Sequence, residues 1–215
     1  MKKEATKGLI LKEALRLFSS YGYDSVSVGQ IAEAVGIRAP SLYNHFPSKR
    51  AIFEAIVEES LERYDEFTGK LSVHVGNSDM DTEMLSRITE DKLVVLVQRI
   101  FEYSLHDETV SRFRRMLTIE QFRSSELAGM YTGRYVERIT DYHAGVFRAL
   151  AAQGKLRGGD FQAMAMMYVS PVMTLIGVCD RQPERESECL EKLSQHVRLF
   201  FRMVHGNGCR RRGDE

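Results

Sequence analysis

Residues 27–50 read SVGQIAEAVGIRAPSLYNHFPSKR, and this stretch decides how the rest of the chain is organised. Val28, Ile31, Ala32 and Val35 recur at helical spacing, and Ser27 with Gln30 makes an S-x-x-Q capping box at the front. Gly36 is the expected left-handed stop, and Ile37 turns the chain back onto the core. A second short helix starts near Ala39, with Pro40 tolerated because the first helical turn has no amide partner to lose. Leu42 and Phe46, four apart, face inward. Two short helices joined by such a turn make a helix-turn-helix, whose second helix can lie in a DNA major groove.

The side chains left outward fit that use. Ser41 and Asn44 can bond base edges, Ala39 and Pro40 offer apolar contact to a thymine methyl, and Tyr43 and His45 can reach phosphates. In the following P-S-K-R, Ser48 caps the next helix and puts Lys49 and Arg50 in its first turn. Cations there oppose the helix dipole, at up to roughly 1 kcal/mol each. A phosphate docked at that terminus reverses the balance. Alone, Lys49 and Arg50 read as solvated charges; after a helix-turn-helix they read as phosphate contacts.

The run IAEAVGIRAPSLYNHFPSKRA resembles the N-terminal DNA-binding segment of the TetR family of bacterial transcriptional regulators. The resemblance covers about residues 5–60, and L-Y-x-H-F-x-S-K after I-A-x-x-x-G-I is specific. It implies DNA contacts from Ser27, Ala39, Pro40, Ser41, Tyr43, Asn44, His45 and Lys49. Arg38 stands where a small capping residue is common and adds a candidate phosphate or base contact. Gly29 stands where a longer polar side chain can touch DNA, so that contact is missing.

The 215 residues suffice for one large or two small domains with a substantial core. A composition of 43% hydrophobic and 28% charged residues is that of an ordinary globular protein. No apolar run approaches the roughly 20 residues of a membrane helix, and the start MKKEATK has no signal-peptide core. A cytoplasmic protein is expected. Its three cysteines, Cys179, Cys189 and Cys209, lack metal spacing and are expected reduced, although Cys179 and Cys189 flank one loop where a redox switch is conceivable. Net charge is zero, but residues 1–50 carry eight Lys/Arg against four acids, leaving 22 against 26 for the remainder. A basic head on an acidic body is what docking on DNA by one end requires.

In chain order, Lys2, Lys3 and Lys7 form a basic arm, and Ile10, Ala14, Leu17, Phe18 and Tyr21 mark a first helix ended at Gly22. Ile52, Phe53, Ile56, Val57, Leu61 and Tyr64 mark a linking helix over 48–68. Residues 69–81, polar and glycine-bearing, read as a loop. Leu93, Leu96, Val97, Ile100 and Phe101 mark the next helix. Asp107 caps another, with Val110, Phe113 and Leu117 inward. One long helix runs through Tyr131, Tyr135, Ile139, Tyr142, Val146 and Leu150 to Gly154. A helix after GGD carries Phe161 to Cys179, kinked at Pro171, and the last carries Leu190 to Val204. The fold class is all-α, with about nine helices and no strand. Three domains are expected: a helix-turn-helix domain over 1–50, a helical effector-binding and dimerisation domain over 51–205, and a flexible tail over 206–215.

A helix-turn-helix reads one half-site, so a homodimer on a palindromic operator is expected, with half-sites about 34 Å apart. The last two helices are the candidates for its interface, through Met173, Ile176, Leu193, Val197, Phe200 and Phe201; the resemblance points the same way. Candidate ligand residues are Phe101, Phe113, Met116, Phe122, Tyr131, Tyr135, Tyr142 and Met167, because Met and aromatic side chains suit a cavity for flat or greasy molecules. Plain core packing accounts for any one of them as well. His143 is not read as a metal ligand.

No G-x-S-x-G, H-E-x-x-H, phosphate-binding glycine loop or Cys/His metal spacing is present, so neither an enzyme nor a cofactor or metal is expected. The leading expectation is a dimeric repressor released from its operator by a small hydrophobic or aromatic effector. A regulator controlled by a protein partner is an alternative. A ligand-binding protein with a vestigial helix-turn-helix is another, against which the outward Ser41, Tyr43, Asn44 and Lys49 argue.

Overall fold

A computed structural model describes residues 2–205, with side chains from Glu4 onward. The tail over 206–215 with Cys209, and the side chains of Lys2 and Lys3, lie outside the described residues. Among the described residues the chain is helical throughout, without a strand. The helices are α1 (Lys2–Tyr21), α2 (Val28–Val35), α3 (Ala39–Tyr43), α4 (Lys49–Lys70), α5 (Ser78–Ser86), α6 (Glu90–His106), α7 (Glu108–Glu120), α8 (Ser125–Thr132), α9 (Arg138–Ala152), α10 (Phe161–Arg181) and α11 (Glu186–His205). A π-helical turn, Gly133–Glu137, joins α8 to α9, and a short 3-10 turn, Pro183–Arg185, precedes α11.

The chain divides into two compact units. The first joins Met1–Phe67 to Tyr103–Arg134, and the second joins Thr68–Glu102 to Tyr135–Glu215. The first unit is therefore larger than a module ending at residue 50, since α7 and α8 belong to it. Ile10, Ala14 and Phe18 of α1 are buried, with Ile31, Leu42, Ile52 and Phe53 also in the core. Tyr21, expected on the same inner stripe, is 64% exposed, because the helix ends there and the chain turns away at Gly22. Gly22 takes φ +87°, and a Cβ there would come 2.5 Å from Glu120 Oε1 of α7. The Tyr23 ring meets Phe18 and Phe53 edge-on, at centroid distances of 5.1 and 5.0 Å.

In the second unit α9 packs against α5 and α10, and α10 against α11. A buried carboxylate fastens α5. Asp81 accepts from the backbone amide of His74 at 2.6 Å and from the Tyr142 hydroxyl of α9 at 2.5 Å, with His74 Nδ1 at 2.6 Å. Three partners offset the cost of burying a charge that one partner would leave uncompensated. Close approach of α5 and α9 depends on Gly145, where a Cβ would come 2.5 Å from Ser78 Oγ.

One expectation is corrected and another refined. Residues 69–81 are not all loop: α4 runs through Lys70 and α5 begins at Ser78. Its inward residue is an aspartate, so the apolar periodicity that announces a buried helix face is missing. The single long helix expected through Tyr131 and Leu150 is present without a break from residue 125 to 152, but a π-helical turn, Gly133–Glu137, divides it into α8 and α9. α10 runs through Pro171 without a break in helical assignment. It is also long and apolar enough, by length and composition, to cross a membrane, although little of it is buried. No short run of unbroken hydrophobic letters shows this, because Ser170, Pro171, Thr174 and Gly177 dilute it.

Candidate nucleic-acid interface and effector cavity

The first site is the surface of α2 and α3. Ser27 is the N-cap of α2: its hydroxyl accepts from the Gln30 amide at 3.2 Å, and its own amide donates to Gln30 Oε1 at 2.7 Å, the reciprocal capping box. Gly36, at φ +76°, ends α2, and its neighbour Ile37 donates back to Ala32 O at 2.9 Å. Arg38 is the N-cap of α3 and makes no side-chain cap, so its guanidinium is left outward. Leu42 is fully buried and Phe46 nearly so, which anchors the short α3 from beneath.

The expected DNA-contact residues fall into two groups. Arg38, Ser41, Tyr43 and Asn44 are exposed and His45 is half-buried, and none of these side chains has a hydrogen-bond or ionic partner among the described residues. Ala39 and Pro40, at the first turn of α3, are half-buried and exposed respectively. Ser27, Lys49 and Arg50 are already committed. The Ser27 hydroxyl also donates to Gln30 Oε1 at 3.1 Å, so it is taken up by the capping box. Lys49 Nζ donates to the carbonyls of Tyr23, Asp24 and Val26 at 3.0, 3.4 and 3.0 Å, and lies 4.4 Å from the centre of the Tyr23 ring. This corrects its expected phosphate role: all three ammonium protons serve the loop between α1 and α2. Arg50 bonds Glu54 at 2.8 Å and pairs with Glu126 of α8. The expected cap from Ser48 is present, with its Oγ accepting from Ala51 N at 3.0 Å.

The second site is a cavity of about 90 Å³ inside the second unit. Leu93, Leu96, Val97 and Ile100 of α6 form one wall, and Tyr142, His143, Val146 and Phe147 of α9 another. Tyr168 of α10 and Phe200 of α11 contribute as well, and no Asp, Glu, Lys or Arg is on the lining. The stripe that marked α6 in the sequence is therefore, apart from Phe101, cavity wall. Burial in this apolar setting lowers the His143 pKa to about 4, partly offset by its hydrogen bond to the Ile139 carbonyl, so the ring is neutral at physiological pH. A larger hollow of about 330 Å³ lies in the first unit, but its charged walls pair internally, as Arg63 does with Glu59 at 2.9 Å and Asp107 at 3.6 Å.

Of the expected ligand residues, only Tyr142 lines the cavity. Phe101, Phe113 and Met116 are fully packed core, and Tyr135 is buried away from the cavity. Tyr131 does not line it. Phe122, at 89% exposure, and Met167, at 55%, face outward. The expected dimer residues are corrected too. Ile176, Leu193, Val197 and Phe200 are buried within the chain, where α10 packs on α11. Phe201 lines the cavity and Met173 is half-buried. The exposed apolar side chains of these helices are Met166, Met167, Leu199 and Met203, which periodicity alone did not separate from the inner stripe. Cys179 and Cys189 are both free and buried, with a thiol–thiol hydrogen bond that, after burial, helps push Cys179 up to about 12.

Residues 10–56 match the family described as bacterial regulatory proteins, tetR family. Over these residues the chain carries that family's DNA-binding domain. The match covers most of α1, all of α2 and α3 and the start of α4, and so includes the uncommitted side chains of α3. The chain is a DNA-binding transcriptional regulator, and the matched family works by binding rather than catalysis. It is 35% identical over 54 residues to the HTH-type transcriptional repressor ComR of Escherichia coli K12, an overlap of 25% of this chain and 26% of that protein. It is 26% identical over 168 residues to the biofilm operon icaADBC negative regulator IcaR of Staphylococcus aureus strain Newman, covering 76% and 80% of the two chains. Among solved structures, the chain shares its fold with the SmeT–triclosan complex, at a TM-score of 0.66 and 22% identity over 95% and 93% of the two chains. SmeT is the repressor of a Stenotrophomonas maltophilia efflux pump.

Proposed function

We propose that this regulator is a dimeric, cytoplasmic repressor that reads a palindromic operator through α3 and is released by a small apolar effector in the second unit. The observation that supports this most is the uncommitted set Arg38, Ser41, Tyr43, Asn44 and His45. A surface kept only for folding would spend such donors on neighbours, as Ser27, Lys49 and Arg50 do. Ala39 and Pro40 add apolar contact, Ser41 and Asn44 read base edges, and Arg38, Tyr43 and His45 hold phosphates. ComR and IcaR are named as negative regulators, which favours repression over activation. In domain terms, residues 1–50 do the reading and the rest carries control and dimerisation.

The dimer is assigned to α10 and α11 because α10 is strongly apolar yet little buried, and Met166 and Met167 leave its outer side unsuited to water. For a protein that binds chromosomal DNA, a second copy is a better cover than a membrane. Release follows from the cavity's size. At about 90 Å³ it is smaller than the roughly 150 Å³ engineered cavity that takes benzene. A larger effector therefore binds only a widened state, and the population shifts toward that state. Widening would be relayed by α4, which begins among the DNA-reading elements and ends, at residues 68–70, in the second unit. A coupling of about 1–3 kcal/mol would change operator affinity about 5- to 150-fold.

Selection of bound DNA from a random library by the purified protein tests the reading. A palindromic consensus whose half-sites lie one helical turn apart is the expected result. Enrichment of no sequence, with only salt-sensitive general binding, would reject it.

A further inference from the structure

Two polar groups on the cavity wall have no use in the fold. Tyr168 is 7% exposed and lines the cavity, and its hydroxyl has no hydrogen-bond partner among the described residues. Burial alone raises its pKa, so it stays a neutral donor. His143 Nδ1 lies 2.8 Å from the carbonyl of Ile139. A carbonyl only accepts, so Nδ1 carries the proton and Nε2 is a bare acceptor. His143 is half-buried and lines the cavity. The two rings are 5.0 Å apart, centre to centre. Tyr142, the other hydroxyl on the wall, is not available, because it donates to Asp81.

We infer that the effector is an uncharged, mainly apolar molecule with a hydroxyl that donates to His143 Nε2 and accepts from the Tyr168 hydroxyl. This rests on the reading of the cavity as the effector site. One oxygen with one proton satisfies both wall groups. An ether or ketone accepts from Tyr168 but leaves Nε2 bare, and a hydrocarbon leaves both unsatisfied, at a cost comparable to a lost hydrogen bond each. An ammonium has no counter-charge on the lining, and a carboxylate would find only the exposed His205 imidazole there, with no Lys or Arg. Water can serve both groups in the free protein, and the ligand hydroxyl takes over its bonds when it displaces that water.

The test is calorimetric titration of the full-length protein with 4-ethylphenol and with 4-ethyltoluene, which replaces the hydroxyl by a methyl of similar size, and with 4-ethylbenzoate as the charged case. The expected result is that 4-ethylphenol binds, 4-ethylbenzoate does not, and Tyr168→Phe and His143→Phe each weaken 4-ethylphenol about three- to tenfold. Both variants should leave 4-ethyltoluene unchanged or tighter. Tyr168→Phe removes a single oxygen and keeps the experiment decisive should His143→Phe fold poorly. If the phenol and the hydrocarbon bind equally and the variants do not separate them, the hydroxyl subsite is overturned and the effector cavity survives. Binding of 4-ethylbenzoate as tight as that of the phenol overturns the uncharged class. Absence of binding by all three probes overturns the cavity reading and the subsite with it.

Discussion

The Lys49 ammonium has three protons, and the structure gives it three carbonyls. Replacing it by Met is expected to destabilise the protein by about 1–3 kcal/mol, read as a fall in urea midpoint, because loop carbonyls lose a charged donor. The salt dependence of DNA affinity should not change. Arg38→Ala is expected to do the reverse, keeping stability and lowering the slope of log affinity against log salt by about 0.9. A slope lowered by Lys49→Met instead would restore its phosphate role. Asn44→Ala should relax base preference at one operator position, by roughly 1–3 kcal/mol, in a binding profile across site variants. His143 makes a pH prediction. The unfolded chain takes up its proton near pH 6.5 and the folded one only near 4, so stability falls as pH drops through that window. His143→Phe should flatten urea stability between pH 6.5 and 4, by up to about 3 kcal/mol. That Ser41, Tyr43 and Asn44 lie outward on α3 was legible in the sequence. Which donors were already spent was not, because Lys49 reaches carbonyls 23 to 26 residues away.

Helix starts and stops were the most legible features. The Ser27–Gln30 box, the Asp107 and Asp160 caps and the glycine stops at 22, 36 and 154 all rest on a few neighbouring residues, and each is present. α5 was hidden because its packing is polar. Its seat on α9 can be tested by Gly145→Ala, which puts a methyl against Ser78 and is expected to cost about 1–3 kcal/mol in thermal or urea stability. Adding Ser78→Gly removes the obstructing side chain and should recover part of the loss; no recovery would mean the clash is not with Ser78. The long helix through Tyr131 and Leu150 was legible, but the π-helical turn inside it was not. One extra residue in a turn rotates the helix beyond it by roughly 100°, so the aromatic residues before and after it do not share one face. Composition pointed to a Met- and aromatic-rich body but could not sort its members into core, cavity and surface, since all three use the same side chains.

At the scale of the whole molecule, the exposed Met167 and Leu199 make the assembly testable. Met167→Asp with Leu199→Asp is expected to give a monomer by sedimentation and to weaken operator binding, while each monomer keeps its helix content. A dimer that persists would move the interface elsewhere. The all-α class and the DNA-reading head could be taken from sequence because local patterns determine them. The cavity and the true outer faces of α10 and α11 depend on contacts between distant segments. The discontinuous first unit has a genetic consequence. Residues 1–67 contain the whole helix-turn-helix, but α1 packs on α7, which is encoded well downstream. A gene fusion that exchanges heads at residue 50 or 67 would put a foreign α1 against a resident α7, including the seat of Glu120 beside Gly22. New operator specificities therefore arise more easily by substitution on α3 than by swapping the whole head, and a hybrid built in the laboratory should carry residues 103–134 along with it.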